Sequence, residues 1–164
     1  MIGVITLLNI ASFFYLAVFH QRGNLDVVRD LADRLDRMNQ SQRDDSFVLF
    51  LLPCHQHPYY SHLHHNVAMR FLHCEPHFAV ESAVSPDSYV DEADRFFSQP
   101  EIWLQNFLSS RRLPSHVILS RRTEKQLTPL LRTVGLERNQ TFFHSHLQMD
   151  GRMGTELLLF SKSD

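Results

Sequence analysis

The chain has 164 residues, of which 43% are hydrophobic and 21% charged, with a formal net charge of -2. That length suits one domain with a sizeable core, and that composition excludes a disordered chain. The near-neutral balance excludes the electrostatic footprint of nucleic-acid binding, so no nucleic-acid partner is expected.

Charge is unevenly spread. Residues 1–19 carry no Asp, Glu, Lys or Arg, and Ile2 to Phe19 is an apolar run broken only by Gly3, Thr6, Asn9 and Ser12. Its length lies at the short end of a membrane-spanning helix. A signal sequence is the rival reading, but a positive n-region and a small-x-small cleavage site are missing and the run is long for an h-region. A buried soluble helix is a third reading. Orientation signals conflict. Arg22, Arg29, Arg34 and Arg37 follow the run, which places the rest of the chain in the cytoplasm by the positive-inside rule. Asn39-Gln40-Ser41 and Asn139-Gln140-Thr141 are N-glycosylation sequons, which matter only in a secretory lumen.

Leu25, Val28, Leu31, Leu35 and Met38 recur at helical spacing after a candidate N-cap at Asn24, and predict an amphipathic helix leading away from the membrane. Residues 39–46 read as a polar linker. Phe47 to Leu52 is a continuous apolar run ended by Pro53, as expected of a strand buried on both faces. Residues 53–68 read as a structured loop, Met69 to Leu72 as a short strand, and 76–86 as loop. Tyr89 to Leu108 reads as two helical pieces. Pro100 suits a first turn, Ser98 and Glu101 have capping-box spacing, and Ile102, Trp103, Phe107 and Leu108 form the expected buried stripe. His116 to Leu119 reads as a strand. Thr123 and Gln126 again have capping-box spacing, before a stripe of Leu127, Leu130, Leu131 and Val134 closed by Gly135, with Pro129 expected to kink the helix or mark its start. Gln140 to His144 and Glu156 to Phe160 read as a terminal hairpin. The alternation predicts an α/β fold: one N-terminal transmembrane helix followed by a small mixed-sheet domain. The expected divisions are 1–20 (transmembrane helix), 21–46 (amphipathic helix and linker) and 47–164 (α/β domain).

Seven of the 11 His fall between His55 and His77. Metal binding is one reading, but the spacing matches no standard zinc pattern, and no metal or cofactor is expected. A polar loop whose rings bond the backbone is the second. A binding surface is the third, since His and Tyr on a loop held by a sheet can hydrogen-bond and stack on a sugar or phosphate. Cys54 and Cys74 are the only cysteines. In a lumen they could pair, the reading favoured here; in the cytosol they would stay thiols. Asp91-Glu92-Ala93-Asp94 reads as a carboxylate site or, preferably, as acids favoured in a helix's first turn. His144-Ser145-His146 reads as a polar step at a strand end.

Several of these stretches resemble one family. Pro53-Cys54-His55, Pro58-Tyr59-Tyr60-Ser61-His62-Leu63-His64 and Met69-Arg70-Phe71-Leu72 resemble the C-terminal region of the third mannosyltransferase of glycosylphosphatidylinositol (GPI) anchor assembly. Asp91-Glu92-Ala93-Asp94 with Trp103-Leu104, and Phe142-Phe143-His144-Ser145-His146 with Gly151-Arg152, do the same. His20-Gln21-Arg22-Gly23 with Leu25-Asp26-Val27 looks like the stretch after that family's last membrane helix. The chain departs from the family pattern at Gln56-His57, His65 and His73.

The resemblance implies a multi-pass enzyme of the endoplasmic-reticulum membrane with a lumenal C-terminal domain. Such an enzyme transfers mannose from dolichol-phosphate-mannose to the GPI precursor glycolipid in an alpha-1,2 link. It inverts, so a carboxylate base activates the acceptor hydroxyl. In the family that acid lies in the first lumenal loop, a segment this sequence does not contain, so no catalytic residue is assigned and the chain alone is expected to be inactive. The expected substrate contacts are His55, Tyr59, Tyr60, His62 and His64. The alternative is a non-catalytic single-pass lumenal binding or metal-binding module.

Overall fold

The structure is a computed structural model. It describes residues 2–75, 89–110, 112–146 and 151–162. Three apolar runs form the centre of one sheet: β1 (Phe47–Leu51), β3 (His116–Ser120) and β5 (Glu156–Lys162). β2 (Ala68–Phe71) and β4 (Leu136–Phe143) are the edges, giving the order β2-β1-β3-β5-β4. β2 and β3 run parallel to β1, while β5 runs antiparallel to both β3 and β4. The sheet is mixed, as expected.

The central strands are continuous apolar runs because both faces of the sheet are covered. Phe47, Leu49, Leu51, Val117, Leu119, Leu158 and Phe160 point to one side. There they meet Phe96 of α5 (Glu92–Ser98), Leu104 and Phe107 of α6 (Pro100–Ser110), and Leu127 and Leu131 of α7 (Arg121–Thr133). Val48, Phe50, Leu52, Ile118, Leu157 and Leu159 point to the other side. Val27, Val28, Leu31 and Leu35 of α2 (Gly23–Arg37) cover them, with Leu63 of the short α4 (Tyr60–Leu63). α2, the amphipathic helix expected within 21–46, is therefore a layer of the domain. Its aliphatic stripe is fully buried on the sheet, and only the continuation at 39–46 connects. That continuation is itself ordered: α3 (Gln40–Asp44) starts on a capping box between Asn39 and Gln42.

Several local expectations change. Asn24 does not cap α2; its Nδ2 donates to Gln56 Oε1 at 3.3 Å. Ser98 does not cap α6, because its hydroxyl donates back to the Arg95 carbonyl at 2.9 Å. The cap of α7 is Ser120, three residues before Thr123, and it also accepts the Gly154 N–H at 2.6 Å. Pro129 accordingly lies inside α7 and not at its start. The buried stripe of α6 is shifted too: Leu104 is fully buried, whereas Ile102 is 55% exposed. Gly135 closes α7 as expected, at φ +77°, a left-handed conformation favouring glycine. β4 begins at Leu136, earlier than expected, and pairs with β5 from Leu136 to Phe143. The loop expected at 76–86 lies outside the described residues.

α1 (Ile2–Val18) precedes this domain, and none of its residues is buried. Its 17 residues make a rod of about 25 Å at helical rise, long and apolar enough to cross a membrane.

Candidate functional site

The C-terminal ends of β1 and β3, the N-terminal end of β5 and the end of β4 share the end of the sheet at which α1 joins the domain through His144 and His146. The β1–β2 loop starts at this end. Cys54 and Cys74 are disulfide-bonded, with Cα atoms 6.1 Å apart, which ties the loop's beginning to the chain just after β2. An aromatic ladder continues the anchoring. Tyr59 meets Phe50 edge-on at 5.1 Å and stacks on Phe71 at 4.7 Å, and Phe71 meets His73 at 5.4 Å. Burial pushes the Tyr59 hydroxyl up to about 12, so the phenol stays protonated. His55, Tyr59 and His64 have φ of 64°, 37° and 55°, left-handed values that cost energy for any non-glycine residue. This loop therefore holds its shape against local preference.

The five expected contact residues do not share one place. Gln56 bonds Asn24 in the first turn of α2, and His65 Nε2 lies 3.3 Å from Asp36 near its last turn. Twelve helical residues separate Asn24 from Asp36, about 18 Å at helical rise. His55 and Tyr59 thus lie at the α1 end; the neighbouring Tyr60 sends its hydroxyl to the Val67 carbonyl at 2.8 Å, and His62 and His64 follow on the path to the far end. His55, Tyr60, His62 and His64 are exposed, and Tyr59 is half-buried.

Other residues complete the α1 end. His57 is buried and rests on Phe50 at 5.5 Å. Burial, with His144 nearby, depresses its imidazole to about 3, so it is neutral. His144 is also buried and lowered, by burial first and then by His20. Both ring nitrogens of His57, Nδ1 of His144 and Oδ1 of Asn24 have no hydrogen-bond partner among the described residues. This corner also docks α1. The Gln21 N–H donates to the His144 carbonyl at 2.8 Å, and the Tyr15 hydroxyl meets His146 Nδ1 at 2.8 Å. Gly23 makes the close approach possible, because a Cβ there would lie 2.7 Å from the Phe143 carbonyl oxygen. The sequence reading did not single out His57, His144 or Gly23 as a unit, since they come from three distant segments.

The acidic run is structural. Asp91 caps α5 by accepting the Asp94 N–H at 2.6 Å. Glu92 takes Arg70 through both carboxylate oxygens, at 2.7 and 2.9 Å, and accepts the His73 N–H at 2.9 Å. Asp94 pairs with Arg152, whose guanidinium lies 5.5 Å from the Phe97 ring centroid. Among the described residues no three His, Cys, Asp or Glu side chains are gathered as a metal site requires.

Comparison with known proteins gives the class first. No family model and no solved structure matches the chain. It is 37% identical over 161 residues to GPI alpha-1,2-mannosyltransferase 3 of Danio rerio, covering 98% of this chain and 28% of that protein. The Homo sapiens protein of that name is 33% identical over 94% of this chain and 26% of its own length. GPI mannosyltransferase 3 of Drosophila melanogaster is 35% identical over 81% of this chain and 23% of its own length. These relatives are glycosyltransferases by name, of the mannosyl-transferring class. The chain belongs to the GPI mannosyltransferase 3 family, corresponds to a C-terminal part of such a protein, and spans about a quarter of the length of its relatives.

Proposed function

We propose that this chain works within an enzyme that transfers mannose from dolichol-phosphate-mannose to the GPI precursor, forming an alpha-1,2 link. The observation that carries this reading is the match to GPI alpha-1,2-mannosyltransferase 3 along 98% of the chain. α1 is its membrane helix, and the α/β domain lies on the lumenal side of the endoplasmic reticulum. The acidic run is engaged in caps and ion pairs, so no catalytic role falls to it. The domain's work is to meet the acceptor glycan close to the membrane, and His55 and Tyr59 at the α1 end are its contacts. The Tyr60 hydroxyl is engaged on the Val67 carbonyl at 2.8 Å, and His62 and His64 lie further along the loop, so they are not assigned to the same sugar.

In the complete enzyme, His55→Ala and Tyr59→Phe each raise KM for the acceptor by about threefold to tenfold, the usual weight of one hydrogen bond. The double variant His62→Ala/His64→Ala leaves transfer unchanged. Normal KM and kcat in both membrane-end variants would remove the contact role.

Lumenal placement has its own check. Asn39 caps α3 through Oδ1, which accepts the Gln42 N–H at 2.9 Å and leaves Nδ2 for a glycan. Asn139 instead donates from Nδ2 to Ser161 Oγ at 3.1 Å. Expressed in animal cells, the protein should therefore show an endoglycosidase-sensitive mass shift that Asn39→Gln abolishes and Asn139→Gln does not. A protein of unchanged mass after endoglycosidase would place the domain on the cytoplasmic side.

A further inference from the structure

A cavity of about 570 Å³ opens at the end of the sheet farthest from α1. Arg34 and Arg37 of α2 line it, with Ser46, His116, Asn139 and Lys162. Arg34 engages Asp30 through Nε at 2.6 Å, and Arg37 donates from Nε to the Asp33 carbonyl at 2.9 Å. Their terminal guanidinium nitrogens, and the Lys162 ammonium, have no partner among the described residues. The carboxylate on the cavity wall is Asp45, which faces Arg112 at 3.9 Å. Against Asp45 and the Asp30 that pairs with Arg34, the three cations still leave the cavity net cationic, and two guanidinium groups and an ammonium favour an oxyanion.

A buried side chain adds a second signal. His116 is 4% exposed yet lines this cavity. The Ser115 hydroxyl donates to the Phe47 carbonyl at 3.1 Å and accepts the Phe47 N–H at 2.9 Å. With its proton on that carbonyl, it accepts from His116 Nδ1, 2.9 Å away. Nε2 of His116 is then a lone-pair acceptor with no hydrogen-bond partner among the described residues. Burial and then Arg34, against the opposing pull of Asp30, hold this imidazole down at about 4, so the acceptor persists at neutral pH. An acceptor beside three cations suits a group that presents both negative oxygens and a hydroxyl.

We propose that this cavity binds a phosphate group, held by Arg34, Arg37 and Lys162, with His116 Nε2 accepting a hydroxyl of the phosphate or of its carrier. The site does not serve the bilayer surface. Arg34 and Arg37 lie 11 and 14 helical residues beyond Gly23, about 16 and 21 Å along α2. The phosphate comes either free from solution or on a polyol or sugar that reaches away from the membrane.

Calorimetric titration of the full chain in detergent micelles tests this, with protein from a host that does not glycosylate. The probes are inorganic phosphate, glycerophosphate and glycerol. Both phosphate probes should bind saturably and glycerol should not. Lys162→Gln, at an exposed strand end, should weaken both about tenfold, as should Arg34→Gln, while Arg132→Gln on α7 leaves them unchanged. Tighter binding of glycerophosphate assigns a phosphorylated polyol or sugar; equal binding assigns free phosphate. No saturable binding, or wild-type affinity in Lys162→Gln together with an intact Arg34→Gln, would overturn the proposal.

Discussion

Acidification from pH 7 to pH 4 destabilises this domain sharply, and His57 is the main cause. Its buried imidazole protonates near 3 in the folded protein, against an ordinary value of 6.5. The unfolded chain takes up that proton as pH falls through 6.5, whereas the fold refuses it. The stabilisation is therefore complete above 6.5 and is lost progressively below it, by about 3 kcal/mol at pH 4 from linkage. His116, lowered to about 4 by burial and then by Arg34, acts in the same direction. His144, lowered by burial and then by His20, adds to it. For a domain of this size, 3 kcal/mol corresponds to roughly 10 °C in Tm. His57→Phe, packed on Phe50 and Tyr59, should flatten the Tm-against-pH curve of the full chain in detergent. Wild-type and His57→Phe curves that fall in parallel between pH 6.5 and 4 would show that the acid sensitivity lies elsewhere.

Gly23→Ala should undo the docking of α1 on the domain. The added Cβ would meet the Phe143 carbonyl oxygen at 2.7 Å and His144 Cα at 3.1 Å, both backbone atoms that cannot swing aside. Overpacking of this kind costs about 1–3 kcal/mol. The bond from Gln21 N–H to the His144 carbonyl and the Tyr15–His146 contact lie in the strand–helix seam that must open. In the complete enzyme the domain would sit wrongly over the membrane, and transfer should fall on the order of tenfold, since misplacement of about an ångström is already costly. Gly3→Ala is the control, because nothing lies within 4 Å of a Cβ there. Equal transfer by both variants would mean that the seam does not position the domain.

The elements that pack on their own stripe were legible in the sequence. The run Phe47 to Leu52 announced a two-sided strand because nothing polar interrupts it. Leu127 and Leu131 announced the buried face of α7 by their spacing. Caps were less legible, since Thr123 and Gln126 have capping-box spacing and yet α7 starts three residues earlier, on Ser120. The choice falls on Ser120 because Gly154, 34 residues later, also bonds it. The site was half legible. The density of His and Tyr marked the β1–β2 loop, but not its path along α2, which separates His55 from His64. His57, Gly23 and His144 become one corner only when β1, α2 and β4 meet, and no local pattern encodes that meeting. The acids of α5 were legible as a helix start, while their partners Arg70 and Arg152 were set by the fold.

A chain of this family should be able to stand in for the corresponding part of a relative. The direct measurement is mannosyl transfer by a chimera in which residues 2–164 replace the matching segment of the Danio rerio relative, expressed in cells lacking their own enzyme. Transfer from dolichol-phosphate-mannose to the GPI precursor should be restored, and with it GPI-anchored protein at the cell surface. A chimera that accumulates stably in the membrane yet restores no transfer would contradict the account.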